Sequence, residues 1–188
     1  MGPIPGAFRS RCPSRLLAHY TDSNANDANH MNPEVRSFYH QDTFTWSHVA
    51  VDAASRRAAI IDPVLDFDPV TGQVQTHSAQ RLLEYITTTG LGVDWILETH
   101  IHADHRTAAA WLKGRLEASG SKPRIGIGRG MLSVQRTFKQ KLNLGDEFAA
   151  DGREFDVFFD DGAEITIGHL VGRAMTRSEE RRVGKECT

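Results

Sequence analysis

The sequence has few cysteines, no long apolar run and almost no net charge. Its two cysteines, Cys12 and Cys187, lie near opposite ends of the 188 residues, so we expect no disulfide framework and no cysteine chemistry. No apolar stretch approaches the roughly 18 residues of a membrane-spanning helix, and the N-terminal segment MGPIPGAFRS lacks the apolar region of a secretory signal. A net charge of −2 gives no electrostatic basis for binding nucleic acid or an acidic membrane. We therefore expect a cytoplasmic protein with neither kind of partner.

Residues 1–31 differ from the rest in composition. They combine prolines and arginines with a polar run, TDSNANDANH, that has no periodicity. Such a segment is typical of a disordered or non-native extension, and Met31 stands directly before the first strand-like sequence, where a natural chain could start. The alternative is a transit peptide, because residues 1–19 carry arginines and no acidic residue. That interpretation would place the protein in the mitochondrion.

The C-terminal residues also change character. A charged run such as RSEERRVGKEC, residues 177–187, is usually a solvent-exposed helical tail. Here the same residues can be read as the translation of bases that resemble a widely used sequencing-library adapter. We therefore hypothesise that residues 177–188 are non-native and that the natural gene product continues differently after about Thr176. Resequencing of the source locus tests this hypothesis, since a genomic RSEERRVGKEC would contradict it.

Between these ends, residues 32–176 show the pattern of one ordered domain. Hydrophobic residues make up 39% of the chain and charged residues 24%, which is typical of a soluble globular protein. Apolar, β-branched segments predict strands, and apolar residues three and four positions apart predict helices. The predicted strands are 43–52, 56–61, 93–99 and 124–128, and the predicted helices are 77–89, 108–119 and 130–143. The first helix is expected to end at Gly90 and to carry an apolar stripe formed by Ala79, Leu82, Leu83 and Ile86. Their alternation predicts an α/β fold in which helices are layered on a sheet.

Two further expectations concern the later part of this domain. In the third helix, one face is expected to point inward, and it is formed by Val134, Phe138 and Leu142. The segment 153–168 is interpreted as a closing hairpin with its turn at Asp161-Gly162, because Asp-Gly is a common hairpin turn. The tryptophans are expected in core or helix-face positions: Trp46, Trp95 and Trp111.

The loop after the strand 93–99 holds three histidines and an aspartate, spaced as His100-x-His102-x-Asp104-His105. Imidazole suits zinc, iron and similar divalent ions, and an added carboxylate favours a second or harder metal site. Open α/β sheets bind ligands just beyond the carboxyl ends of their strands, which is where this loop lies. These four residues are the candidate metal ligands, and Asp104 can alternatively act as a general base on a metal-bound water. A loop whose histidines only cap the next helix is the non-functional alternative.

The segment THIHADH resembles the signature loop of the metallo-β-lactamase superfamily. The wider sequence, including AAIIDPVLDFDPVTGQ, VDWILETHIHADH and IGIGRGMLSVQRTF, is similar to the persulfide dioxygenase-like branch and to β-lactamase hydrolase-like proteins over about residues 32–175. The resemblance implies the N-terminal part of an αββα sandwich, with the metal at one edge. It also implies that Asp62 supports the metal loop through hydrogen bonds. One departure is Arg106, which stands where an apolar residue is common.

The resemblance implies a metalloenzyme that acts on a small thiol-derived substrate. In the dioxygenase branch, one Fe(II) ion is held by two histidines and an aspartate, and glutathione persulfide is oxidised to sulfite with O₂. Of these ligands, only the first has a match here, at His100, because the branch's downstream TPGHT and GDTLF segments have no match. His102, Asp104 and His105 match positions that bind metal in dinuclear relatives. The sequence is also compatible with a homodimer.

Two alternatives to a persulfide dioxygenase stay open. One is a thioester hydrolase of the hydroxyacylglutathione hydrolase (glyoxalase II) type, with zinc or another metal pair held by the four motif residues. The other is a non-catalytic fragment, because the chain offers only part of the ligand set that the resemblance implies. For the fragment we expect no turnover, weak metal retention and partly uncovered apolar faces on the strands at 43–51, 58–61 and 93–97.

Overall fold

The structure is a computed structural model, and it describes residues 32–176. The predictions of an N-terminal extension over residues 1–31 and of a non-native tail over residues 177–188 therefore lie outside the described residues. Within the described range the chain forms eleven strands and three helices. The helices are α1 His77–Thr89, α2 Ala109–Ala118 and α3 Met131–Lys141. The strands are β1 Glu34–His40, β2 Thr45–Asp52, β3 Arg57–Ile61, β4 Val64–Phe67, β5 Val74–Gln75, β6 Gly92–Glu98, β7 Arg106–Thr107, β8 Arg124–Gly128, β9 Val157–Phe159, β10 Glu164–Ile167 and β11 Leu170–Arg173.

Six strands form one large sheet in the order β1-β2-β3-β6-β8-β9. The first three strands are joined by antiparallel pairing, whereas β3, β6, β8 and β9 run parallel to one another. Parallel neighbours need a crossover between them, and α1 and α2 lie in those connections, between β3 and β6 and between β6 and β8. The predicted α/β fold is confirmed, and the parallel strands end at the same edge of the sheet.

The core lies between one face of this sheet and the first two helices. Residues alternate between the faces of a strand, so Ala58 and Ile60 of β3 point into the core. Helix α1 contributes its predicted apolar stripe, with Ala79, Leu82 and Ile86 buried, and α2 contributes Leu112 and Leu116. The stripe on α1 ends at Gly90, whose left-handed conformation (φ 62°) closes the helix as predicted.

The predicted hairpin with a turn at Asp161-Gly162 is wrong. Strand β9 instead joins the large sheet parallel to β8, and β10 pairs with β11 through a turn at Gly168-His169. Asp161-Gly162 is a turn, but it links two different sheets. A turn signal in the sequence does not determine which strand β9 pairs with. Here β9 has aromatic side chains suited to a strand, and it extends the apolar large sheet.

The β10–β11 hairpin is fixed to the large sheet by polar contacts. The indole nitrogen of Trp95 in β6 donates to the carbonyl oxygen of Thr166 at 2.8 Å. The carboxylate of Asp52, at the end of β2, accepts a hydrogen bond from the backbone amide of His169 at 2.7 Å. Gly168 precedes it with φ 57°, and a Cβ there would collide with Ser55 and Asp52. The turn therefore requires glycine at this position.

The prediction for the inward face of α3 is wrong at Phe138 and Leu142, whereas Val134 is half-buried. The buried residues of this helix are Met131 and Gln135, whereas Phe138 is 38% and Leu142 63% exposed. The side-chain oxygen of Gln135 accepts a hydrogen bond from the backbone amide of Gly152 at 3.1 Å, so a polar contact selects the inward face. The spacing of apolar residues along the sequence does not reveal this polar contact, so it could not predict the buried face of the helix.

The first two strands and the turn between them carry several of the exposed large apolar residues of the described chain. Trp46 is 51% exposed and pairs with Tyr39 of β1, so its predicted core position is wrong. Trp95 is buried, as expected. The stretch 43–51 is partly uncovered at Phe44 and Trp46, but the strands at 58–61 and 93–97 are largely buried. Among the described helices, none has the length and apolarity needed to span a membrane.

Candidate metal centre

The four motif residues lie in the loop that follows β6, at the edge of the large sheet where its parallel strands end. The loop is followed directly by the short strand β7 and by α2. The imidazole rings of His100, His102 and His105 form a row, with centroids 4.3 and 4.0 Å apart along it. Asp104 lies beside the row, with carboxylate oxygens 3.5 Å from Nδ1 of His102 and 3.4 Å from Nδ1 of His105. The structure thus brings the predicted ligands together.

Asp62 lies beneath this loop, at the end of β3. Its carboxylate accepts hydrogen bonds from the amide and the hydroxyl of Thr99, both at 2.7 Å, and from Nε2 of His102 at 3.1 Å. The Asp62 backbone is in the left-handed region (φ 49°), which is uncommon for a residue other than glycine. With its carboxylate occupied by these three donors, Asp62 is placed to hold the loop, which is the role that the resemblance implies.

The ring of His102 is held through one nitrogen only. Nε2 contacts both Glu98 at 2.9 Å and Asp62 at 3.1 Å. Ionised carboxylates accept hydrogen bonds and cannot donate them, so Nε2 carries the proton. Nδ1 is buried and has no hydrogen-bond partner. In the neutral ring this nitrogen has the free lone pair that a metal ion requires.

His105 has no hydrogen-bond partner at either ring nitrogen, although its side chain is only 2% exposed. A buried polar group without a partner is costly and calls for a ligand, an ion or water. Two groups of residues in the described chain could hold an ion, and they share His102: one adds Asp62 and His100, the other Asp104 and His105. The second group fits better, because Asp62 is already occupied. Its imidazole and carboxylate donors suit zinc or iron.

Burial and ion pairing move the pKa values in this cluster in opposite directions. Burial alone would lower the pKa of His102, but hydrogen bonds with Asp62 and Glu98 outweigh it and raise the pKa to about 10. Burial, together with the neighbouring charge on His102, lowers the pKa of His105, so that ring stays neutral at pH 7. Burial raises the pKa of Glu98. Metal ions bind neutral imidazole, so His105 is ready to bind, whereas His102 must release a proton.

His100 and Asp104 are the exposed members of the cluster. His100 also lines a cleft of about 780 Å³, with apolar walls that include Ile61, Leu97, Met131 and Phe159. The cleft lies on the face of the sheet opposite α1 and α2, because Ile61 points away from the core that those helices cover, and Met131 of α3 lines it. A small molecule bound in this cleft would therefore reach the metal loop at His100.

Two polar residues of the site were not anticipated from the sequence. Glu98 is the last residue of β6 and contacts His102, four positions later; Thr107 in β7 donates to the other oxygen of Glu98. The sequence did contain a signal, because Glu98 is a charged residue at the end of the apolar run VDWIL. Charged residues are rarely buried unless they are paired.

Comparison with known proteins assigns the family. The metallo-β-lactamase superfamily model matches residues 45–180, and the chain belongs to this superfamily. The crystal structure of ETHE1 from Myxococcus xanthus superposes with a TM-score of 0.51 at 22% identity, covering 73% of this chain and 45% of that one. At this identity the superposition shows the fold, and it agrees with the expected metallo-β-lactamase architecture.

Related sequences include both hydrolase-like proteins and persulfide dioxygenases. A probable metallo-hydrolase from Burkholderia pseudomallei is 42% identical over 141 residues, 75% of this chain and 46% of the relative. Glyoxylase B2 of Dictyostelium discoideum is 36% identical over 143 residues, covering 76% and 48%. The mitochondrial persulfide dioxygenase ETHE1 of Bos taurus is 30% identical over 82 residues, covering 44% and 28%. The chain spans less than half the length of each relative.

Proposed function

We propose that the protein containing this chain is a persulfide dioxygenase-like metalloenzyme that oxidises a small persulfide, such as glutathione persulfide, to sulfite with Fe(II) and O₂. The observation that carries the proposal is the position of His100, which is the motif histidine that lines the apolar cleft. An ion bound in the loop next to His100 would lie beside the cleft, with room for a substrate. The similarity to the bovine persulfide dioxygenase supports the same assignment.

The proposed reaction converts one persulfide, one O₂ and one water into one thiol, one sulfite and two protons. The terminal sulfur is oxidised, the sulfur–sulfur bond breaks, and O₂ is reduced. A bound Fe(II) ion would supply the redox chemistry with O₂. The apolar walls of the cleft exclude water from the reacting sulfur, and the exposed carboxylate of Asp104 is available to accept a proton.

The proposal is tested on the complete gene product, loaded with Fe(II) under anaerobic conditions. Glutathione persulfide is added with O₂, and O₂ consumption and sulfite formation are followed together. We expect one O₂ consumed per sulfite formed, and loss of both in His100→Ala. An iron-loaded protein that consumes no O₂ with this substrate would contradict the proposal. The same assay on the 188-residue chain tests the expectation that it shows no turnover.

A second candidate is a dinuclear thioester hydrolase, in which water cleaves a glutathione thioester to a carboxylic acid and free glutathione. The observation that favours it is the second group of candidate ligands, His102, Asp104 and His105, with three unpaired ring nitrogens. The similarity to glyoxylase B2 supports this function as well. Metal analysis separates the two candidates: one iron per chain favours the dioxygenase, whereas two metals with thioesterase activity favour the hydrolase.

A further inference from the structure

We propose that Glu98 and Thr107 are a positioning pair that sets the orientation of the His102 ring within the metal centre. Glu98 ends β6 and is only 5% exposed. One carboxylate oxygen accepts from Nε2 of His102 at 2.9 Å, and the other accepts from the hydroxyl of Thr107. The inference deepens the proposed function, because the metal is assumed, but the ring orientation can be measured without it.

Asp62 alone would hold the His102 ring less firmly than Asp62 and Glu98 do together. A single acceptor restrains one nitrogen, and the Asp62 carboxylate is shared, because it also accepts two hydrogen bonds from Thr99. Glu98 supplies a second acceptor for the same nitrogen, from the strand side of the loop. With acceptors from β3 and β6, the ring has one orientation, and Nδ1 then lies 3.5 Å from Asp104.

Thr107 is required because a carboxylate at a strand end can swing about its own side-chain torsions. The Thr107 hydroxyl donates to Glu98 and also accepts from the backbone amide of Ala109, at 3.0 Å. Ala109 is the first residue of α2, which packs into the core. A continuous polar chain thus links α2 to Thr107, Glu98 and His102. Such outer contacts orient metal-binding histidines and set the protonated nitrogen.

A purely structural role for Glu98 would be a buried ion pair with His102. Removal of one partner of a buried ion pair destabilises the fold, but a loss of stability alone would not be expected to change metal binding more than other losses of stability do. A positioning role, in contrast, changes the exchange of the His102 ring proton and the metal affinity. The two roles are therefore distinguished by measurements on the His102 ring.

The first measurement uses the 188-residue chain with ¹⁵N-labelled histidine and no metal. Proton–nitrogen spectra of the rings are expected to show His102 protonated at Nε2, with that proton protected from exchange with water. In Glu98→Met, which lacks an acceptor, and in Thr107→Val, we expect exchange about tenfold faster. Glu98→Gln keeps an oxygen acceptor and is expected to restore part of the protection. The ring of His40, which bonds to Thr43 and Asp66, is the internal reference.

The second measurement is Co(II) binding, followed by visible absorption and titration calorimetry. We expect Glu98→Met and Thr107→Val to weaken Co(II) binding by about 10- to 100-fold. The control is Glu154→Gln, which removes one charge at an exposed position away from the loop, and we expect it to leave Co(II) binding unchanged. Unaltered ring-proton exchange in both loop variants, or an unprotected His102 proton in the parent chain, would overturn the positioning role. If the parent chain bound no Co(II) while the effect on ring-proton exchange remained, the positioning role would be supported and the assignment of the metal site would be contradicted.

Discussion

Two buried histidines of the described chain differ in how many hydrogen bonds their rings make. His40 bonds to Thr43 at 2.7 Å and to Asp66 at 3.2 Å, so both nitrogens are satisfied. His105 is similarly enclosed but makes no hydrogen bond at either nitrogen, and its Nδ1 lies 3.4 Å from the Asp104 carboxylate. Each buried polar group without a hydrogen bond costs about 1–3 kcal/mol, so this ring is better suited to binding a ligand than to stabilising the fold. At the residue scale, His105 is therefore the side chain that most needs a metal ion.

The first prediction concerns the substitution His105→Leu in the metal-free chain. It removes two buried nitrogens that make no hydrogen bond, so we expect the thermal midpoint Tm to stay unchanged or to rise. The same variant is expected to lose the increase in Tm that Zn(II) gives the parent chain, because a ligand that binds only the folded state stabilises it. Thermal unfolding with and without Zn(II) measures both effects.

The matched control for this substitution is His40→Leu. It breaks satisfied hydrogen bonds and leaves Asp66 with one donor fewer, so we expect a loss of about 1–3 kcal/mol, with the Zn(II) response retained. Equal destabilisation by the two substitutions would show that His105 is an ordinary core histidine and would contradict its assignment to the metal centre.

At the scale of the elements, the site depends on how β6 and α2 are packed. The strand brings Glu98 and the loop to the sheet edge, and α2 begins immediately after β7. Leu112 of α2 is fully buried in the core between helix and sheet. A loss of packing here is expected to loosen the loop as well as the helix.

The second prediction is that Leu112→Ala destabilises the chain by about 2–5 kcal/mol, because it leaves a cavity in the core. Leu142→Ala removes the same atoms from a residue that is 63% exposed, and we expect a change within about 0.5 kcal/mol. Denaturant unfolding of both variants is the measurement. A large effect of Leu142→Ala would contradict the observed orientation of α3 and restore the inward face predicted from the sequence.

The third prediction concerns the contact between β2 and the β10–β11 hairpin. Hydrogen bonds from the Ser55 side chain and the His169 amide hold the pKa of Asp52 well below its usual range. The folded chain therefore keeps the carboxylate charged at a pH where the unfolded chain, with a pKa of about 3.9, binds a proton. The stability that Asp52 contributes is present above that pH and is lost as the pH falls.

Asp52→Asn is accordingly expected to lower Tm at pH 7 and to have a progressively smaller effect below about pH 4. Tm of the parent chain and the variant is compared across this range, with the exposed Asp146→Asn as the control. A difference in Tm between parent and variant that is independent of pH would show that the Asp52 charge does not hold the hairpin.

The elements that the sequence predicts correctly are those with strong local patterns. The stripe on α1, the buried strand β6 and the stop at Gly90 follow from periodicity and backbone preference alone. The pairing of β9 with β8, which precedes α3 in the chain, takes the place of the predicted hairpin, and the inward face of α3 depends on Gln135 meeting Gly152. Neither contact is local, so neither could be predicted from a single segment.

The same distinction applies to the candidate site. The spacing of His100, His102, Asp104 and His105 predicted the cluster, because those residues share one short loop. The contact of Glu98 with His102 requires the loop to fold back over the end of β6, and that of Thr107 requires β7 to return beside it. The outer contacts of the metal centre therefore became visible only in the structure.

At the scale of the whole molecule, the described domain is layered on one side. Helices α1 and α2 cover one face of the large sheet, and the opposite face carries the small hairpin and the cleft. The aligned part of the chain covers less than half the length of the relatives it matches. The activity, substrate and cellular location therefore belong to the whole protein and stay proposals. The shared feature that the chain itself contains is the metal loop.

The metal centre is tested most directly by equilibrium dialysis of the 188-residue chain against Zn(II), followed by metal analysis. We predict Zn(II) bound weakly enough for a chelator to remove it, because the chain offers only part of the ligand set that the resemblance implies. In the double variant His102→Ala/His105→Ala we predict loss of this binding, with His77→Ala as the matched control that retains it. Equal Zn(II) content in the parent chain and the double variant would contradict the assignment of the loop as a metal centre.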